Sequence, residues 1–428
     1  MRSAATSDPG TGRSADHSVA QHPAQPPVRA DGHRWKVLAA GVAANASFSA
    51  FFSGIPVTSV VLRTDYRLSN TELGLALGLL SLGVALGELP WGVLTDKLGD
   101  RKVLLAGLLG TIAALWLLIV TALPGQGGDT YVWLCAGLML AGLLGGSVNG
   151  SSGRAIMAWF RDGERGLAMS IRQTAVPLGG GIGALLLPSL AAHAGFGAVY
   201  IALIAACAAS VALTLVWLRE PPAADAPVAA PAAPVTSQPA LRSTVVWRLA
   251  LATGLLCAPQ VALISFGGIF LQERAHAGLL LISAALTTVQ LGAAVCRIAS
   301  GRWTDRRGER RAYLRGCALL SAALFALLGT LASVGAWGAA PLGIAIVAAG
   351  VAVSAWHGVA YTELAVMAGP AQIGTALGLG NSCVFGVFFL TAQAVPALLH
   401  RGGWGTVWLA VALVALAVYP LFPAPRKG

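Results

Sequence analysis

The sequence predicts an all-α membrane protein with twelve transmembrane helices in two pseudo-symmetric six-helix halves. Three observations predict it. The 428 residues are 56% hydrophobic and only 11% charged, whereas a soluble domain carries roughly 25% charged residues. Apolar runs of about twenty residues, the length that crosses a bilayer, recur through the chain. A compact charged stretch between two such runs occurs twice, with Gly92 and Gly301 at corresponding places 209 residues apart. A repeat of that length in an apolar chain implies two similar membrane halves.

The runs place helix 1 over Val37–Leu62, helix 2 over Leu73–Thr95, helix 3 over Val103–Leu123 and helix 4 over Tyr131–Ala158. Helix 5 follows over Gly166–Ala192 and helix 6 over Phe196–Leu218. In the second half, helix 7 covers Val245–Leu271, helix 8 Leu279–Ser300 and helix 9 Ala312–Val334. Helix 10 covers Pro341–Ala368, helix 11 Ile373–Leu399 and helix 12 Trp404–Leu421. The bundles are expected over residues 34–219 and 245–423. Between them, residues 220–244 are rich in Pro and Ala, the composition of an extended linker. Residues 1–33 are polar, without the apolar core of a secretory signal, and read as a disordered cytoplasmic tail; residues 424–428 form a second tail.

Charge sets the orientation. Arg34 and Lys36, Lys97, Arg101 and Lys102, Arg161 and Arg165, Arg219 and Arg242, Arg302 to Arg315, and Arg426 and Lys427 fall on one side of the spans. Arg63, Arg67, Arg274 and Arg401 fall on the other. The basic side is cytoplasmic by the positive-inside rule, so both termini are expected inside a multi-pass cell-membrane (inner-membrane) protein. That rule also accounts for the formal net charge of +11 without nucleic acid. The six cysteines stand alone in apolar runs with no CxxC, so small buried thiols are expected, not disulfides or metal ligands. No cofactor is implied. No nucleophile triad or phosphate-binding Gly-x-x-x-x-Gly-Lys-Ser/Thr is present, so an enzyme or an ATP-driven pump is not expected.

The charged stretch repeats residue by residue. Gly92, Asp96, Gly99, Arg101 and Lys102 recur as Gly301, Asp305, Gly308, Arg310 and Arg311. Gly166-Leu167-Ala168-Met169 likewise corresponds to Gly374-Thr375-Ala376-Leu377, and Pro188 to Pro396. The pattern Gly-x-x-x-Asp-basic-x-Gly-x-basic-basic between the second and third helices of each half resembles the signature loop of the major facilitator superfamily. The resemblance covers about residues 34–423 and implies a secondary transporter that works by rocking of two six-helix halves. It implies a gating role for the ten loop residues just named. Asp96 and Asp305 would each meet the start of a helix in the other half, where the positive dipole end favours an anion, braced by Arg101, Lys102, Arg310 and Arg311. It names no substrate.

Candidate site residues come from polar side chains inside the spans. An ionised group in the bilayer costs roughly 2.5–3.5 kcal/mol on insertion scales and is expected to face a bundle interior and a partner. Counted at about 1.5 Å per residue, Glu88, Arg172 and Arg297 share one layer in the inner half, with Asn45, Asn149 and Asn381 at similar depth. Gln173 adjoins Arg172. Gln260 and Gln290 fall nearer mid-membrane; His357 and Glu363 fall toward the inner end of helix 10. Arg297 resembles the helix 8 arginine of the oxalate–formate and monocarboxylate transporter branches, where it holds a substrate carboxylate, and a guanidinium fork suits that task. The expected substrate is therefore a small organic anion, with Arg172 and Arg297 forming its pocket. Glu88 and Glu363 are candidates for coupling transport to a proton, and a counter-solute is the alternative. The bland readings are that Arg297 and Glu88 are structural partners of neighbouring helices, and that His357 packs on Trp356.

Two other functions are open at this stage. Helix 5 carries Val176-Pro177-Leu178-Gly179-Gly180-Gly181, which resembles the helix 5 signature of drug–proton antiporters only in part, because Val176 replaces the glycine before proline. With Phe48, Phe51 and Phe52 on helix 1, that keeps a drug or metabolite exporter as the alternative. A non-transporting receptor or scaffold would need a signalling domain, and none is visible. The expected partners are a small molecule, a proton and the lipid bilayer, with the protein a monomer.

Overall fold

A computed structural model describes residues 32–127, 129–219, 239–335 and 337–424. Most of the tail expected over 1–33, most of the linker over 220–244 and all but Ala424 of the C-terminal segment lie outside the described residues. Helix 1 is α1 (His33–Val57) followed by the short α2 (Ser59–Asp65); Pro56 cannot donate to the Phe52 carbonyl, and the helix restarts after Thr58. Helix 2 is α3 (Asn70–Leu98). It starts at a capping box in which Ser69 Oγ accepts from Glu72 N and Glu72 Oε2 accepts from Ser69 N. Helix 3 is α4 (Asp100–Thr121), and helix 4 is split into α5 (Thr130–Gly145) and α6 (Ser147–Trp159).

Helices 5 and 6 run together as α7 (Arg165–Trp217), of 53 residues. Helix 7 is α8 (Thr244–Ala275), helix 8 is α9 (Leu279–Arg307) and helix 9 is α10 (Arg310–Ser333). Helix 10 is split into α11 (Ala339–Ser354) and α12 (His357–Ala368), and helices 11 and 12 run together as α13 (Ile373–Val418), of 46 residues. Ten helical stretches among the described residues are long and apolar enough to cross a membrane. Two of these, α7 and α13, are each two crossings long, which makes twelve. The expected boundaries bracket both breaks: Gly195 at φ 73° and Gly403 at φ 71° turn the chain between crossings, in a region of φ that glycine enters at little cost.

One cluster of buried side chains, from Val37 to Leu218, fills the first half. Two more, Ala240–Phe422 and Ala262–Ala412, fill the second. The outer surfaces stay apolar, with Leu185 77% and Leu280 85% exposed, as a lipid-facing surface requires.

The halves meet along two seams, α3 with α13 and α7 with α9. Each seam ends in a carboxylate that caps a helix of the opposite half. Asp96 Oδ1 accepts from Gly374 N at 2.8 Å, and its Oδ2 accepts from Thr375 N and Thr375 Oγ1, each at 2.7 Å. Asp305 Oδ1 accepts from Gly166 N at 3.0 Å and its Oδ2 from Leu167 N at 2.8 Å. These amides belong to the first turns of α13 and α7, whose N–H groups have no intrahelical acceptor, so each anion meets orphan donors and the positive dipole end together. Glycine permits the approach: a Cβ on Gly92 would strike the Gly374 carbonyl, and one on Gly301 the Gly166 carbonyl. Both charged loops therefore lie on one face. His33 Nε2 donates to Trp217 O at 2.9 Å and Arg315 to Phe422 O at 2.9 Å, which brings both described ends of the chain to that face.

The bracing of the two carboxylates differs. Arg310 Nη2 donates to Asp305 at 3.3 Å, as expected. Arg101, expected beside Asp96, instead donates to the Leu215 carbonyl at 2.9 Å. The brace there is Arg154 of α6, which is 3.4 Å from Asp96 and pairs with Asp100. Helix 6 ends beside the first turn of α4, so its unpaired terminal carbonyls compete for the Arg101 guanidinium.

Two outcomes follow. Gly92→Ala overpacks the α3–α13 crossing, which costs about 1–3 kcal/mol and lowers the apparent unfolding temperature in detergent. Gly316→Ala, whose Cβ would meet nothing within 4 Å, does not lower it, and equal losses would refute the close-approach argument. Asp96→Asn removes the charge at the α13 N-terminus. The Gly374 and Thr375 amides then exchange with deuterium at least about tenfold faster, the rate equivalent of about 1.4 kcal/mol, and unchanged exchange would show that the carboxylate does not hold the seam.

Candidate functional site

A break in helix 10 and a proline in helix 5 together create the acceptors around Arg297. Between α11 and α12 the chain leaves the α-helical ladder at Ala355 and Trp356, which frees carbonyls on that turn. Ser354 O accepts from Arg297 Nε at 2.8 Å, and Ala355 O accepts from Ser300 Oγ at 3.0 Å. On helix 5 the Gln173 carbonyl would ordinarily accept from residue 177, but residue 177 is proline and has no N–H. That carbonyl accepts instead from Arg297 Nη1 at 2.8 Å, across the α7–α9 seam. Arg297 is 3% exposed and joins the two halves inside the membrane.

Arg172 lies on the same helix as Gln173 and is fully buried. Its Nη1 donates to Ser152 Oγ of α6 at 3.3 Å, and its Nε points at Met169 Sδ at 3.5 Å. Its Nη2 is buried without an acceptor. Glu88 of α3, also fully buried, accepts from Asn149 Nδ2 at 2.5 Å through Oε1, while Oε2 has no donor. Glu88 lies within electrostatic reach of Arg172 and beside Asn381. Asn381 Oδ1 accepts from Tyr361 OH at 2.5 Å and its Nδ2 is unmatched. Asn45 of α1 is fully buried with both amide atoms unmatched, one turn beyond Gly41, which packs against Ser152.

These groups form one stratum. Glu88 and Arg297 each stand eight residues, about 12 Å of helix, from the capping aspartate of their own helix. Arg172 and Asn381 stand five to seven residues from the amides that those aspartates hold. Two guanidinium groups and one carboxyl group share the stratum, so its cationic side chains outnumber its acid in a medium that stabilises charge poorly. Outward of it, Phe48 and Phe52 of α1 meet Phe385 and Phe388 of α13, with ring centroids 5.0–6.1 Å apart. The unmatched donors and acceptors thus lie between an aromatic cluster on one side and the carboxylate clasps on the other.

The remaining sequence candidates lie elsewhere or act differently. Gln260 Nε2 donates to Ser354 Oγ at 3.2 Å and so supports the broken turn that holds Arg297. Gln173 contributes its main-chain carbonyl. Gln290 is half-buried, seven residues outward of Arg297 on α9. His357 stacks on Trp356, with centroids 3.8 Å apart and planes at 14°, and its Nδ1 donates to Ser354 O at 3.2 Å, which is a packing arrangement. Glu363 accepts from Arg311 Nε at 2.6 Å near the second charged loop, not in the stratum. Gly99 and Gly308 take φ of 90° and 69° at the ends of α3 and α9.

Sequence reasoning missed Tyr361, Ser152, Ser354 and Arg154. Tyr361 is within electrostatic reach of Glu88, Arg172 and Arg297 at once, but a tyrosine in an apolar run gives no periodic signal. Arg154 had one: it stands 209 residues before Glu363, the spacing of the repeat, with the opposite charge.

Comparison with known proteins agrees with the geometry. Residues 37–392 match the Major Facilitator Superfamily. An uncharacterised MFS-type transporter of Mycobacterium tuberculosis is 30% identical over 406 residues, 92% of this chain and 85% of the relative. The solved structure of the proton:xylose symporter XylE, bound to 6-bromo-6-deoxy-D-glucose, superposes with a TM-score of 0.72 at 12% identity, covering 91% of this chain and 95% of that one. The human organic anion transporter MFSD10 superposes with a TM-score of 0.71 at 17% identity, covering 93% of this chain and all of that one. The family match over most of the chain and the similarity to the Mycobacterium tuberculosis relative lead to one conclusion: the chain belongs to the Major Facilitator Superfamily.

Proposed function

We propose that this transporter moves a small organic anion by alternating access and couples the movement to a proton through Glu88. The observation that carries the reading is the surplus buried cation: Arg172 and Arg297 against Glu88 alone, with Arg172 Nη2 lacking an acceptor. A guanidinium N–H in a dry site is matched by a carboxylate, sulfonate or phosphate oxygen. A monoanion bound there would neutralise the layer. Asn45, Asn149, Asn381 and Tyr361 would supply the neutral contacts that fix its orientation.

The clasps support the conformational half of the reading. With Asp96 and Asp305 seated, the basic face is sealed; with both released, it opens. By the positive-inside rule that face is cytoplasmic, with both termini inside and the chain acting as a monomer in the cell membrane. The helix 8 position of Arg297 supports kinship with the oxalate–formate and monocarboxylate branches, and that one structural neighbour is an organic anion transporter fits it. The phenylalanine cluster supports a second reading, export of a lipophilic solute, in which rings rather than guanidinium groups select the cargo.

Proteoliposome uptake separates these readings. Arg297→Ala and Arg172→Ala lower uptake of the best small carboxylate or sulfonate by tenfold to about a hundredfold, the worth of a charge-assisted hydrogen bond of about 1.5–3 kcal/mol. Unchanged anion uptake in folded variants, with lipophilic cations transported instead, would replace the first reading by the second.

Glu88→Gln keeps an amide oxygen for Asn149 and removes the charge. Anion exchange between the two sides persists in this variant, while accumulation driven by a pH gradient is lost. Accumulation that still follows the gradient would remove Glu88 from the coupling step.

A further inference from the structure

The loop repeat is chemically unequal in its two copies, and the inequality leaves a cationic cavity on the first half. In the second half, Arg310 and Arg311 line a cavity together with Glu309 and Glu363. Their charges are met there: Arg310 pairs with Asp305 and Arg311 with Glu363. The corresponding residues of the first half, Arg101 and Lys102, line a cavity of about 440 Å³ together with Leu105 and Arg219. Its described lining holds three cations and no acid. That volume is about fifteen times a water molecule's share of the liquid, roughly 30 Å³.

The cavity is built. Arg101 is tethered by its bond to the Leu215 carbonyl at 2.9 Å. The backbone of Arg219 is fixed by Trp159 Nε1, which donates to its carbonyl at 3.1 Å. The two helices that form the walls, α4 and the helix 6 part of α7, present Leu215 and Val216 at the basic rim and Leu109 and Trp116 along the span, between 48% and 60% exposed. The site therefore has a cationic pocket where the apolar spans end and an apolar wall along them, which is the layout of one molecule with a phosphate head and hydrocarbon tails.

We propose that the cavity bounded by Arg101, Lys102, Leu105 and Arg219 binds the phosphate of an anionic glycerophospholipid, whose chains lie on α4 and helix 6. Charge complementarity selects an anionic over a zwitterionic head: an attached ammonium would meet three cations with no described carboxylate to receive it. A phosphate there bonds Arg101 and Arg219 together and so ties the start of helix 3 to the end of helix 6, within the first half. It leaves the Asp96 clasp untouched, because Arg154 and not Arg101 braces that carboxylate.

The test uses the full-length protein in detergent micelles doped with either phosphatidylglycerol or phosphatidylcholine. It reads the apparent unfolding temperature and the lipid retained in native mass spectrometry. Phosphatidylglycerol raises the unfolding temperature and is retained in preference to phosphatidylcholine. Lys102→Gln, an exposed position, weakens retention about fivefold, the loss of one interfacial cation at about 1 kcal/mol. The double variant Arg306→Gln/Arg307→Gln, which removes two exposed cations of the same face outside the cavity, does not weaken it. Equal losses in Lys102→Gln and the double variant would mean a diffuse surface field and overturn the site. So would equal retention of the two lipids. Inorganic phosphate at matched concentration leaves the unfolding temperature unchanged; an equal rise would assign the cavity to a free anion instead of a lipid.

Discussion

The contact on which the rest depends is a carboxylate seated on the first turn of a helix from the opposite half. In lipid there is little hydrophobic force between helices, so packing, hydrogen bonds and dipoles decide how bundles associate. Asp96 and Asp305 supply that decision at one end of each seam, where each oxygen pair meets consecutive main-chain amides. The geometry is directional and charged, so it closes in one arrangement and loses most of its strength after a small shift. A repeated pair of such clasps holds the two halves together at one end of both seams.

The second constraint is the supply of acceptors inside the membrane. A buried guanidinium requires oxygen partners, and regular helices offer few because their carbonyls are already bonded. Here the chain makes them by local defects: Pro177 leaves the Gln173 carbonyl open, and the Ser354–His357 break opens the turn that receives Arg297 and Ser300. The helix 4 break falls at Gly145–Ser147, and its Gly146 is 209 residues before Ala355. The helix break thus follows the repeat, while Pro177, whose counterpart is Phe385, and the charged residues do not. Scaffold features are shared between the halves, and site chemistry is particular to each.

Much of this was legible in the sequence because it rests on local signals. Length and hydropathy place the crossings, and the family resemblance carried by Gly92 to Lys102 implies the clasps; even the turns at Gly195 and Gly403 fall between predicted spans. The depth of Glu88, Arg172 and Arg297 follows from counting residues from the loops. What the sequence did not disclose depends on rotation about each helix and on which carbonyl is free. Glu363 and Glu88 are both acidic residues in apolar runs, yet one meets Arg311 near the second charged loop and the other Asn149 in the stratum. Arg101 and Arg310 occupy one motif position, yet only Arg310 reaches its aspartate, because in the first half Leu215 offers a carbonyl and Arg154 already occupies the place.

The two seams are organised alike and carry different charged groups. Along α7 and α9, Asp305 holds Gly166 and Leu167, and two helical turns deeper Arg297 holds the Gln173 carbonyl. An anion that drew Arg297 away from Gln173 would remove the inner bond of that seam and leave the clasp as its sole charged tie among these contacts. Along α3 and α13, Asp96 holds Gly374 and Thr375, and at the same depth Glu88 lies beside Asn381, with Ser382 Oγ bonded to Ala85 O at 2.9 Å just beyond. A change in the charge on Glu88 acts on that seam directly and reaches the other through Arg172 of α7. Under the proposed function, the cargo would weaken one seam and a proton on Glu88 the other, and both seams would have to part before the basic face opened. Coupling of that kind would need no long-range signal, because the two charged groups lie on adjoining seams of one interface.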